Sequence, residues 1–236
     1  MSDNWIVGNL QNALETWNEK LEEIWTLVTA TPQDFKGGLV WDVIVGINGS
    51  LKAVGYALDI MTTLFAICGS IVQTMMDRIG AMSAASVTMP QEIIDAIEDV
   101  GFLASIPLWL VSLLGSLFIT VMSFILILTV YGRFFKLYLY TAISPLPLAS
   151  FAGEGTGSMG KAFIKSYTGV CLEGAVIVLA CLIYSAFLSG SAPAADGSLP
   201  PVTMAWEYIG QLIFNMLILT GLVKGSDRVV REMFSL

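Results

Sequence analysis

The closest approach to a catalytic motif in this chain is residues 155–161, Gly-Thr-Gly-Ser-Met-Gly-Lys. Gly155, Gly157 and Gly160 fit the G-x-G-x-x-G spacing of dinucleotide-binding turns. Gly155, Gly160 and Lys161 fit the first part of a P-loop. Such loops cradle phosphates with backbone N–H groups, and a Ser or Thr after the Lys holds Mg²⁺. Here Ala162 follows the Lys. The preceding segment carries Pro145 and Pro147 and cannot be the strand that frames either motif. The stretch reads as a turn entering a helix near Ser158, and no nucleotide or other cofactor is expected.

The remaining chemistry-bearing residues are acids in apolar surroundings. Asp59, Glu173 and Glu207 each lie inside a long apolar run, where a charge is costly and its presence needs a reason. Glu207, Gln211 and Asn215 are four apart and form one polar stripe on a helix. Asp59, Thr63, Ser70 and Thr74 form another. Two readings stay open: the stripes line a polar cavity or conduit, or they hydrogen-bond neighbouring helices within a bundle or between subunits. The chain has no His, so the commonest general base and metal ligand is missing. A serine protease site lacks its base, an intramembrane aspartyl protease would need a second Asp beside Asp59, and no ligand cluster suggests a metal. Cys68, Cys171 and Cys181 stand in apolar runs without C-x-x-C spacing and read as small packing residues. An enzyme is not expected.

What must position these groups is a membrane. Hydrophobic residues make up 56% of the 236 residues, charged residues 13%, and mean hydropathy is +0.76. Soluble domains carry about 25% charge. The net charge of −8 disfavours binding to a nucleic-acid backbone. The expected fold is an all-α polytopic membrane bundle of about four transmembrane helices, with an N-terminal amphipathic helix and a Pro-broken re-entrant hairpin. The division is residues 1–35 for the amphipathic helix and 36–236 for the membrane domain. Spans are expected at about 51–76, 105–132, 167–189 and 203–223, and the hairpin at 137–152. Apolar runs near the ~20 residues that cross a ~30 Å core support these. Residues 39–47 are apolar but too short to cross alone.

In the amphipathic segment Val7, Leu10, Leu14, Trp17, Leu21, Ile24 and Val28 recur at threes and fours, the stripe of a helix that packs along one face. It either lies at the bilayer surface or packs on another protein or a second copy. Ile93, Ile94, Ile97 and Val100 mark a short amphipathic helix opened by Pro90. Within the second span Ser112, Ser116, Thr120 and Ser123 form a small-residue seam of the kind that lets membrane helices approach closely. The first protein-wide asymmetry is in basic residues. Residues 131–166 carry Arg133, Lys136, Lys161 and Lys165, and the tail carries Lys224, Arg228 and Arg231, whereas 190–202 has none. The positive-inside rule places both basic segments, and hence the C-terminus, in the cytoplasm.

Residues 133–187 carry a family likeness. At Arg133-Phe134-Phe135-Lys136, at Ser144-Pro145-Leu146-Pro147-Leu148-Ala149, and from Lys161 to Tyr167 into Cys171-Leu172-Glu173-Gly174, the sequence resembles the TrbL-like conjugal-transfer proteins, in particular their short Gram-positive forms. The resemblance implies a multi-pass channel or scaffold subunit of a conjugative type IV secretion system in the cytoplasmic membrane, assisting transfer of a relaxase bound to single-stranded DNA. It implies a homo-oligomeric ring of five or six copies, contacts with other membrane subunits and with ATPases, phospholipid between subunits, and transient contact with the relaxase–DNA substrate. Residues 133–165, with Arg133, Lys136, Pro145, Pro147, Lys161 and Lys165, are then the expected cytoplasmic docking face. The alternative is a stand-alone small pore or transporter, and a third reading is a scaffold or immunity-type membrane protein without conduction.

Overall fold

A computed structural model describes residues 5–50, 57–79, 87–100, 102–152, 157–190 and 200–235. Among these the regular structure is helical and no strand occurs. In chain order the elements are α1 Trp5–Thr29, a 3-10 turn Phe35–Gly38, α2 Leu39–Ser50, α3 Ala57–Ile79, α4 Gln91–Glu98, α5 Phe102–Ile143, α6 Pro145–Ala149, a 3-10 turn Ser150–Ala152, α7 Gly157–Gly190 and α8 Pro201–Phe234. Four helices are long and apolar enough to cross a membrane, over Ala57–Asp77, Ile106–Ile143, Gly157–Leu188 and Val202–Phe234. The all-α polytopic bundle expected from composition is the observed fold.

The helices outrun the expected spans. The 42 residues of α5 measure about 63 Å at 1.5 Å per residue, roughly twice the ~30 Å hydrocarbon core. Tilts up to about 40° do not absorb that excess, so α5 projects beyond the core. It begins at Phe102, with Pro107 inside it, rather than near Ser105. It ends at Ile143 rather than 132, because Lys136 finds partners within the chain and Arg133 is packed inside it, so neither charge ends the helix. The segment expected as a hairpin over 137–152 therefore divides at Ser144. Residues 137–143 complete α5, and Pro145 and Pro147 sit in the first turn of α6, where proline is tolerated. α7 starts ten residues before the expected span at 167, and α8 continues through the basic tail to Phe234. The expected first span begins partly outside the described residues, in 51–56.

Two compact units result: Met1–Glu23 with Met82–Ile127 and Cys181–Leu222, and Ile24–Ala81 with Leu128–Ala180 and Val223–Leu236. In the first, α1 buries Val7, Leu10, Leu14, Trp17 and Leu21 and leaves Glu15, Glu19 and Glu22 exposed. α1 thus packs on its own chain, which neither sequence-based alternative for this helix anticipated. Asn18 pairs with Val87, donating from Nδ2 to the carbonyl and accepting the backbone N–H at Oδ1, both at 3.0 Å. The Tyr208 hydroxyl donates to the Thr88 carbonyl at 3.3 Å. These bonds hold the approach to α4, whose Ile93 and Ile97 are buried.

Gly115 of α5 is where this unit is tightest. A Cβ there would stand 2.9 Å from Ile209 Cγ2 and 3.7 Å from Leu10 Cδ2. Gly115→Val is expected to destabilise by about 1–3 kcal/mol through overpacking. Gly221→Ala, which meets open space, should cost nothing. Melting temperatures of the two purified variants in detergent check this.

In the second unit, Met61, Phe65 and Cys68 of α3 pack with Leu137 of α5, Leu148 of α6, and Tyr167, Val170 and Cys171 of α7. All three cysteines are buried and free, as their apolar settings suggested. The α1–α2 connection turns through three successive left-handed residues, Lys36, Gly37 and Gly38, at φ 54°, 71° and 81°, which glycine permits at two of the three positions. Phe35 anchors the turn by stacking on Phe134, centroids 4.5 Å apart. The Tyr138 hydroxyl donates to the Pro32 carbonyl at 2.8 Å.

Candidate functional site

The second unit gathers the charged residues that the sequence scatters. Lys136 of α5 reaches Asp227 of α8 at 3.0 Å and Glu173 of α7 at 3.6 Å. Asp227 also accepts from Arg231 at 2.9 Å. One ammonium therefore ties three helices. The three sites differ in exposure: the Glu173 side chain is 3% exposed, while those of Lys136 and Asp227 are 39% and 36%. The α7 acid is thus buried and depends on its cation. The α8 acid is half in solvent, and its contribution is screened.

Arg133, one α5 turn before Lys136, is expected at a docking surface but is instead 2% exposed. Its guanidinium occupies the space a Cβ would fill at Gly174. A glycine after Glu173 is therefore what lets α7 approach α5 at this point. Nε and Nη1 of Arg133 have no hydrogen-bond partner, and no carboxylate lies within ion-pair distance of it among the described residues. The sequence marks Arg133 as basic and flanking an apolar run, which points to an interface with water. Only packing on Gly174 reveals its burial.

Pro145 explains a residue that sequence reading missed. Lacking an N–H, it leaves the Thr141 carbonyl without its helical donor. Asn48 of α2 supplies one: its Nδ2 donates to the Thr141 carbonyl at 2.9 Å and to Ser144 Oγ at 3.1 Å. Pro145 is buried and Pro147 is half-buried. Beyond the 3-10 turn, the Ser150 hydroxyl accepts the Gly160 backbone N–H at 2.9 Å, and the Phe151 ring lies where a Gly160 Cβ would be. Gly160 thus serves helix packing. Gly155 and Thr156 of the nucleotide-like pattern lie outside the described residues. Lys161 and Lys165 are exposed on the first turns of α7.

The polar stripes separate. On α3, Met61, Phe65, Cys68 and Val72 are buried, while Asp59, Thr63, Ser70 and Thr74 all face outward. In the first unit, Glu207 and Gln211 of α8 are exposed and Asn215 is buried. The seam on α5 is a landing strip for α1. Asn9 Nδ2 donates to Ser116 Oγ at 2.9 Å and to the Ser112 carbonyl at 3.3 Å, and the Ser112 hydroxyl donates to the Ile6 carbonyl at 3.2 Å. Thr120 and Ser123 return their hydroxyl protons to their own helix, to the carbonyls of Ser116 and Ile119. No cluster of potential metal ligands occurs among the described residues.

Comparison with known proteins follows from this architecture. A family model described as TrbL/VirB6 plasmid conjugal transfer like protein matches residues 47–145, less than half of the chain. The match runs from the end of α2 through α3, α4 and α5 to Pro145, and it meets the motif-bearing stretch 133–187 over residues 133–145. No curated protein and no solved structure matches the chain. The chain thus has four helices long and apolar enough to cross a membrane, and over residues 47–145 it is similar to the TrbL/VirB6 plasmid conjugal transfer like proteins.

Proposed function

We propose that the chain is a structural, channel-forming subunit of a conjugative type IV secretion system that assists relaxase-bound single-stranded DNA across the cytoplasmic membrane, rather than an enzyme. The observation that carries this reading is the outward polar row of α3, all within the family match. α3 is the least enclosed of the four candidate spans, with 22% of its apolar window buried against 67% for α7. Asp59 stands in the first turn of α3, where facing lipid costs less than the about 2.5–3.5 kcal/mol of a helix centre but still disfavours an unpartnered charge. Asp59, Thr63, Ser70 and Thr74 therefore call for a neighbouring subunit or a water-filled conduit on that face. A ring of five or six copies meets this need, with lipid filling its outer grooves. The basic ends, with Lys161 and Lys165, then face the cytoplasm and offer docking points for ATPases and other membrane subunits. A stand-alone transporter would be expected to enclose such acids within one chain.

Asp59→Leu tests this. A hydrogen bond to a charged group is worth about 1.5–3 kcal/mol, so DNA transfer in a mating assay should fall by about tenfold or more while the variant still accumulates in the membrane. Wild-type transfer frequency with this variant contradicts the reading.

A further inference from the structure

We propose that a cavity beside Arg133 binds a phosphate-bearing anion. The cavity lies within the second unit, between the end of α1, α3 and α5, and holds ≈ 470 Å³, within the range of small-ligand pockets. Arg133 is the one charged residue that lines it. Thr31, Gln33, Thr62, Ser70 and Gln73 supply polar atoms, and no carboxylate is among the lining residues. Asp34 and Asp77 touch it only indirectly, through bonds with Thr31 and Gln73. Thr62 and Ser70 donate their protons to carbonyls of their own helix, bonds that a hydroxyl exchanges by rotating.

The chemistry of the missing partner follows from Arg133. Arg133 is 2% exposed and has no carboxylate within ion-pair distance among the described residues, and buried charges are normally paired. The field of Glu173 reaches Arg133, but its carboxylate is in ion-pair range of Lys136, at 3.6 Å, and not of Arg133. A guanidinium donates charge-assisted hydrogen bonds to phosphate oxygens. The hydroxyls and amides around the cavity can satisfy the others. Free phosphate and a phospholipid headgroup share this chemistry, and the headgroup has the added fit that α3 and α5 are candidate membrane spans.

The test uses the full-length protein and two probes. Native mass spectrometry after reconstitution in phosphatidylglycerol-containing nanodiscs reads lipid retention, and a thermal-shift titration with inorganic phosphate in detergent reads the free anion. Wild type is expected to respond to at least one. Retained lipid without a phosphate response assigns the headgroup, and a phosphate response alone assigns the free ion. Arg133→Gln should weaken that response by at least about thirtyfold, the loss expected when one partner of a buried charge pair is removed. Arg133→Lys should retain part of it. Gly69→Phe fills the cavity from a position where an added Cβ meets nothing within 4 Å. It should abolish the response with Arg133 in place, so it decides the matter even if the Arg133 variants fail to fold. Wild type that responds to neither probe, or a Gly69→Phe variant that responds like wild type, overturns the proposal.

Discussion

Lys136→Met should destabilise the protein by up to about 3 kcal/mol, the loss approached when a buried charge is left without its partner. The residue left behind is Glu173, whose side chain is 3% exposed. Met keeps the apolar stem of Lys, so packing changes little and the loss reports the charge. Asp227 loses the same partner but keeps Arg231 at 2.9 Å and water, so Asp227→Asn should cost less than about 1 kcal/mol. The double variant Lys136→Met with Glu173→Leu removes the buried carboxylate together with its partner and should recover most of the loss. Thermal unfolding in detergent orders the variants. Equal losses for Lys136→Met and Asp227→Asn would show that Glu173 does not depend on Lys136.

Trp17→Ala should cost about 3–5 kcal/mol, the range for emptying a fully buried aromatic site. Trp17 has no exposed surface and lies at the middle of the α1 stripe. Its Nε1 has no hydrogen-bond partner, so Trp17→Phe loses volume but no bond and should cost far less. The loss should be local first: α1 of Trp17→Ala should be cleaved by a soluble protease much faster than in wild type. Cleavage of α1 at the wild-type rate in the Ala variant would mean that the helix is not held by this side chain.

The helical membrane architecture was legible because it depends on average properties. Long uncharged runs identify spans whatever their partners. The three-four spacing of Val7 through Val28 identified a buried stripe, since periodicity reports a face. What that face packs on was not legible: Asn9 lies 103 and 107 residues from Ser112 and Ser116 and carries no local sign that it meets them. Helix ends were misplaced for a related reason. Arg133 and Lys136 flank an apolar run as if they closed it, although neither a charge paired across helices, as Lys136 is, nor one packed against α7, as Arg133 is, ends its own helix. The prolines were legible as a break, but of the two side chains that donate to the Thr141 carbonyl, Ser144 is local and Asn48 lies 93 residues away. At the candidate site, the types of the charged residues were visible, while their division into buried, bridging and exposed was set by tertiary packing. Gly174 illustrates this best: in sequence it is one of 22 glycines, and in the fold it is the place where Arg133 fits.

The outward row of Asp59, Thr63, Ser70 and Thr74 carries the functional account, and imaging the protein purified with its native lipid tests it most directly. The account predicts a closed ring of copies in which α3 of each meets a neighbouring copy or a water-filled centre along that row. A monomer whose Asp59 faces lipid would contradict it.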